Sequence, residues 1–134
     1  MKETSYTLEI QSTKRDQMID ITSRVREIIR LSTISSGLCL VFVPHTTAGV
    51  TINENADPDV TGDMLRQLDK MIPWNGEYRH IEGNSAAHLK ASMMGSSVMI
   101  IIDERELLLG TWQGIYFCEF DGPRDRKVIV KVMG

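Results

Sequence analysis

Cysteine is scarce: Cys39 and Cys118 are the two in 134 residues, and neither stands beside another cysteine or in a CxxC pair. Each lies inside an apolar run of β-strand character. Both therefore read as buried, reduced thiols packing as small hydrophobes, which argues against a disulfide scaffold. Long hydrophobic runs are lacking as well. The longest, such as Leu38 to Pro44, fall far short of the roughly 20 residues that cross a bilayer, and the opening MKETSYTLEI has no apolar leader core. No membrane partner is expected, and the expected location is cytoplasmic. Neither sign of charge dominates, with 15 Lys and Arg against 18 Asp and Glu and a net charge of -3. Nucleic acids and anionic membrane surfaces are held mainly by clustered Lys and Arg, so neither is expected as a partner. Repeats, linkers and low-complexity stretches are also missing.

What is present is ordinary globular composition, 42% hydrophobic and 25% charged, in a chain of common single-domain size. One domain over residues 1–134 is expected. Tyr6 to Ile10 alternates apolar and polar residues as a half-buried strand does, and a short strand follows near Met18 to Ile21. Thr22 to Ser32 carries Val25, Ile28, Ile29 and Leu31 at helical spacing, with Thr22 or Ser23 as N-cap and Gly37 closing the turn beyond. Leu38 to Val43, LCLVFV, has no polar face and reads as a central strand covered on both sides, one cover being a second layer or another subunit. A strand resumes at Ala48 to Ile52.

Asp57-Pro58 opens a second helix, with Asp57 as N-cap and Pro58 at the first helical position, where no N–H is needed. Its stripe is Val60, Met64, Leu68 and Met71, and Pro73 stops it. A third helix is expected from Asn84 or Ser85 as cap, through Ala86 to Met94, to Gly95. The last third is β-rich: Val98 to Ile102, Leu107 to Leu109, Gly114 to Phe120 and Val128 to Val132, read as an antiparallel meander. The fold class is therefore α+β, with largely antiparallel sheet layers and about three helices. Within Gly114 to Phe120 both faces carry apolar residues, and Glu119 needs a partner. A subunit interface would supply both the cover and the partner.

All three histidines fall at element junctions: His45 after the apolar strand, His80 in a loop, and His88 in the first turn of the third helix. Imidazoles ligate zinc-like metals and act as acids and bases near neutral pH, so three converging rings would make a chemical site. The positive end of the helix would keep His88 neutral. The spacing of His80 and His88 matches neither HExxH nor a zinc finger. Glu82-Gly83-Asn84-Ser85 leads into a helix start, where backbone N–H groups can face a phosphate, although ordinary capping uses the same residues. Glu82 could support a histidine, ligate a metal or act as a base. Asn53 and Glu54 end the strand that follows His45 and could project into the same cleft.

The segments Pro44-His45-Thr46-Thr47-Ala48-Gly49-Val50 with Asn53-Glu54, His80-Ile81-Glu82-Gly83-Asn84-Ser85-Ala86-Ala87-His88, Leu109-Gly110-Thr111-Trp112-Gln113-Gly114 and Phe120-Asp121-Gly122-Pro123-Arg124 resemble the signature segments of the YjbQ family. The resemblance covers roughly Thr4 to Gly134. It implies a small α+β fold forming homo-oligomers, often trimers, with the histidine segments near a cleft. It also implies a small phosphorylated or anionic ligand and, for some members, a secondary thiamine-phosphate synthase activity that joins a pyrimidine diphosphate to a thiazole phosphate and releases diphosphate. Carried onto this chain, it makes His45, Glu82 and His88 the catalytic candidates and Thr47, Gly83, Asn84 and Ser85 the phosphate contacts. His45, His80 and His88 would be ligands of a divalent metal, zinc or magnesium. Two other functions use the same residues: a non-catalytic protein holding a metal or metabolite, and metal-assisted hydrolysis with Glu82 as proton acceptor.

Overall fold

The computed structural model describes residues 1–134. Its elements run β1 (Glu3–Gln11), β2 (Gln17–Asp20), α1 (Thr22–Ser32), β3 (Gly37–Phe42), β4 (Ala48–Glu54), α2 (Pro58–Met71), α3 (Ser85–Met94), β5 (Ser97–Asp103), β6 (Glu106–Leu107), β7 (Gln113–Glu119) and β8 (Asp125–Met133). Five strands form one sheet in the order β1-β8-β3-β5-β6, and three form another in the order β2-β7-β4. Every pairing is antiparallel. This is the expected α+β class with three helices. None of them is long and apolar enough to cross a membrane.

The C-terminal third is not a meander. Only β5 and β6 form a hairpin, while β7 leaves for the small sheet and β8 returns between β1 and β3. Alternating polarity specifies which face of a strand is buried, not which strand lies beside it.

The main core lies between the two sheets and α1. Val41, Ile100, Ile102, Val128, Val130 and Val132 face Val50, Ile115 and Phe117, with Val25, Ile28 and Ile29 of α1 packed on them. Leu31, expected on the buried stripe, is 61% exposed because it falls off that face. A second core takes the other side of β7, where Tyr116, Cys118 and Phe120 pack against Leu68 of α2 and Ala87 and Ala91 of α3. The protein's own chain thus covers β7 on both faces, and the subunit contact expected there is not needed. In the small sheet β7 is the central strand, between β2 and β4.

The LCLVFV strand differs from expectation in the opposite sense. Cys39 and Val41 of β3 are buried, but Leu38 and Phe42 are each 39% exposed on the outer face. Both cysteines are free and buried. Burial pushes each thiol up to about 12, so neither is a nucleophile near neutral pH.

Local chemistry sets the helix ends. Asp57 caps α2 as expected, its Oδ1 accepting the Asp59 N–H at 2.9 Å, but of the expected stripe only Leu68 is buried. At α1 neither Thr22 nor Ser23 caps. The Asp20 carboxylate accepts from the Thr22 N–H at 2.9 Å, and the Thr22 hydroxyl instead accepts the Ile115 N–H at 2.8 Å. The left-handed residue ending α1 is Thr33, at φ 59°, ahead of Gly37.

Two contacts hold α3 in place. A Cβ on Gly49 would lie 2.6 Å from the Gly95 carbonyl oxygen, so a side chain there would push the start of β4 off the C-terminal end of α3. Lys90, fully buried, donates to Asp16 at 2.6 Å and to Asp69 at 3.0 Å. A buried ammonium is tolerable only with such partners.

Candidate functional site

Three connections meet at one end of the sheets: the turn from β3 to β4, the segment from α2 into α3, and the turn from β7 to β8. Between them opens a cleft of about 670 Å³, whose wall is polar except for Phe42, Val43 and Pro44. His45, Thr47, His80, Glu82, Asn84 and His88 all contribute to that wall. The three expected histidines therefore do converge. Gly83 and Ser85 are next to the wall in sequence but are not part of it; Gly83, at φ 75°, closes a turn by donating its N–H to the His80 carbonyl at 3.1 Å.

Asn53 and Glu54 lie elsewhere. They end β4, which leads away from His45 at about 3.3 Å per residue. Asn53 Oδ1 accepts the Glu54 N–H at 2.7 Å, and Glu54 Oε2 accepts the Asp57 N–H at 3.2 Å, so both order the approach to α2.

His45 is the most constrained of the three rings. Its Nε2 accepts the backbone N–H of Lys127 at 2.9 Å. That bond needs an unprotonated Nε2, so the neutral ring carries its hydrogen on Nδ1. Burial, and then the nearby Arg126 guanidinium, hold the imidazole below its ordinary pKa. Near neutral pH His45 is thus a neutral N–H donor with its other nitrogen committed to β8.

His80 and His88 meet edge to face, with ring centroids 5.5 Å apart. His80 Nε2 is 4.0 Å from Glu82 Oε2. His88 sits in the first turn of α3 as expected. No three His, Cys, Asp or Glu side chains are grouped closely enough to hold a metal ion. Because the Nε2 lone pair of His45 is already engaged, the donor set as placed does not fit zinc or magnesium.

The sequence reading missed the cations of this cleft. Arg126 is 5% exposed and belongs to its wall. Its Nε donates to Glu119 Oε1 at 2.9 Å, a second nitrogen reaches Glu119 Oε2, and Nη2 also donates to Thr47 Oγ1 at 2.8 Å. Glu119 is fully buried. Burial alone would push its carboxyl up, but the bonds from Arg126, Ser12 and the Asp121 N–H outweigh that and hold it below the ordinary carboxylate value. Arg124 donates Nε to the Asp121 carbonyl at 2.8 Å and Nη2 to Asp121 Oδ2 at 2.9 Å.

A signal for Arg126 was present. It occupies the inward alternation of β8 with Val128, Val130 and Val132, where a charge demands a buried counter-charge. The partner that Glu119 required lies in the same chain.

Among known proteins, the family model described as "UPF0047 protein YjbQ-like" matches residues 6–134. UPF0047 protein YugU of Bacillus subtilis is 58% identical over 129 residues, covering 96% of this chain and 98% of that protein. A UPF0047 protein of Methanocaldococcus jannaschii is 49% identical over 129 residues, covering 96% and 94%. An uncharacterised conserved protein of the yjbq/upf0047 family from Clostridium acetobutylicum superposes with a TM-score of 0.94 at 59% identity, covering 96% of this chain and 99% of that one. A YbjQ-like protein of unknown function from Sulfolobus solfataricus does so at 0.95 with 32% identity, covering 99% and 98%.

Proposed function

Because the chain belongs to the YjbQ-like UPF0047 family, we propose that its cleft binds a small phosphorylated or otherwise anionic molecule and performs acid-base chemistry on it. A transfer of the thiamine-phosphate synthase type is the reaction to test. One hydrogen bond carries the proposal: by accepting from the Lys127 N–H, His45 is left to offer Nδ1–H as a donor.

In the transfer, the carbon–oxygen bond to diphosphate breaks as the thiazole nitrogen forms the new bond to carbon, and diphosphate leaves with the bonding electrons. Negative charge grows on the leaving oxygens, which is where fixed donors lower a barrier most. His45 Nδ1–H serves as one such donor. The Arg124 guanidinium beside it supplies charge, and Arg126 keeps Thr47 and the His45 turn fixed from behind. His88, with its ring against His80, and Glu82 are the remaining catalytic candidates in the same cleft.

The working protein is taken as a cytoplasmic homotrimer. Its reduced, buried thiols support a reducing compartment. An apolar row on the outer face of β3 and β5, with Leu38, Phe42, Met99 and Ile101 exposed, supports self-association.

Release of diphosphate from the pyrimidine and thiazole precursors tests the chemistry. His45→Ala is expected to lower the rate by at least about 100-fold, the usual share of one fixed hydrogen-bond donor to developing negative charge. A rate untouched by that change would remove His45 from the chemistry. Binding without release in the wild type would leave a non-catalytic metabolite-binding protein instead.

A further inference from the structure

A second hollow, of about 480 Å³, lies beside the cleft and shares His45, Thr46, His88 and Ser96 with its wall. The rest of its lining is Ala48, Ala91, Ser92 and Gly95, which sets it between the turn from β3 to β4 and the C-terminal half of α3. Thr46, Ser92 and Ser96 are exposed, and His45, His88 and Gly95 are half-buried, so all six are open to a molecule in this space. A Cβ on Gly95 would meet no atom within 4 Å, and the room over that residue is therefore empty. Its floor is held fast: the Gly95 carbonyl accepts the Val50 N–H at 3.1 Å, and the Ser96 carbonyl accepts the Val43 N–H at 2.8 Å.

The two spaces differ in chemistry. Arg124, Arg126, Asp121 and Glu82 stand in the wall of the cleft, whereas the lining of the hollow contains no Lys, Arg, Asp or Glu. An ionic group placed in the hollow would give up water without meeting a counter-charge, and an alkyl chain would find little apolar surface beyond two alanine methyls. Hydrogen bonding is what the hollow offers. The Ser92 hydroxyl donates to the His88 carbonyl at 2.9 Å, so its oxygen faces a ligand as an acceptor. The hydroxyls of Thr46 and Ser96 turn to donate or accept as a ligand requires.

Resting on the anion-binding role proposed above, we infer that the hollow is a second subsite, which takes the uncharged, hydrogen-bonding ring of the same molecule whose phosphate groups lie in the cleft. The ring carries at least one N–H or O–H group to donate to Ser92. At about 480 Å³ the hollow has the size of a small-molecule site, and it suits a single ring better than a long chain. His45 and His88 stand where the two subsites join, so the bond between the ring-bearing carbon and the phosphate oxygen falls beside the two imidazoles. Ser92 is then a specificity residue that touches the ligand.

Calorimetric titration of the full chain with the pyrimidine diphosphate precursor, whose ring bears an amino donor, and with methyl diphosphate, which has the same ester charge and no ring, tests this. The precursor should bind at least about tenfold more tightly, as one or two further hydrogen bonds provide. Ser92→Ala places a better helix former at an exposed position, so the fold is kept. It should lose about threefold or more of that advantage, the share of one hydrogen bond. Ser92→Phe, checked for folding by circular dichroism, fills the hollow and should bring the two affinities close to equality. Equal affinities in the wild type, or an advantage undiminished in Ser92→Ala, would overturn the second subsite and leave the anion site standing. Failure of both ligands to bind the wild type would overturn the anion site, and the second subsite with it.

Discussion

Glu119 is fully enclosed, and its carboxylate is met by the Ser12 hydroxyl, the Arg126 guanidinium and the Phe120 and Asp121 N–H groups. Such a pair contributes little against an apolar substitute, but removing one partner strands the other charge. Glu119→Gln is therefore expected to lower the unfolding free energy by about 3–5 kcal/mol in urea. The sign of the pH dependence follows from the depressed pKa of Glu119. Its contribution is fully present above the ordinary carboxylate value and is lost as pH falls through the lower, folded-state value. The wild type should shed stability on acidification through that window, and the Gln variant should lack this component. Equal urea midpoints for the two proteins would contradict it. At this scale the histidines were legible because their residue type announces their chemistry. Arg126 was not singled out because an arginine advertises the surface, and only its phase with Val128, Val130 and Val132 shows it turned inward. The bond from Asn84 to Asp121 had no sequence signal, since Asn before a helix reads as a cap.

The elements were legible where period and punctuation agreed. Asp57-Pro58 starts α2 and Gly95 ends α3, as capping chemistry requires. Strand neighbours were not legible, and so β8 was set in a hairpin series although it returns to the middle of the large sheet. The continuous apolar run of β3 was read as two covered faces, and the chain covers one. Its outer row continues across the sheet, with Leu40 level with Met99 and Leu38 level with Ile101. Exposed apolar rows of this kind mark contact surfaces. A second copy over this row is the proposed cover, and Leu40→Asp should break it. Light scattering after size exclusion is expected to give an oligomer for the wild type and a monomer for a folded Leu40→Asp protein. A monomeric wild type would contradict self-association through β3.

In the whole molecule, the two sheets and three helices leave one end where three connections converge, and chemistry-bearing side chains from distant parts of the sequence meet there. Relatives that share the fold and much of the sequence place this architecture in one family. What the cleft takes is carried by its own geometry: the ring of His45 turned so that Nδ1–H is free, and Arg124 beside it. The most direct test is a titration of the 15N-labelled protein with inorganic diphosphate, followed by the amide and imidazole signals. The expected result is a saturable shift at the His45 ring, the Lys127 amide and the side-chain amide of Asn84, which lines the cleft. Those signals staying fixed to saturating diphosphate, or shifts gathering elsewhere on the surface, would contradict the account.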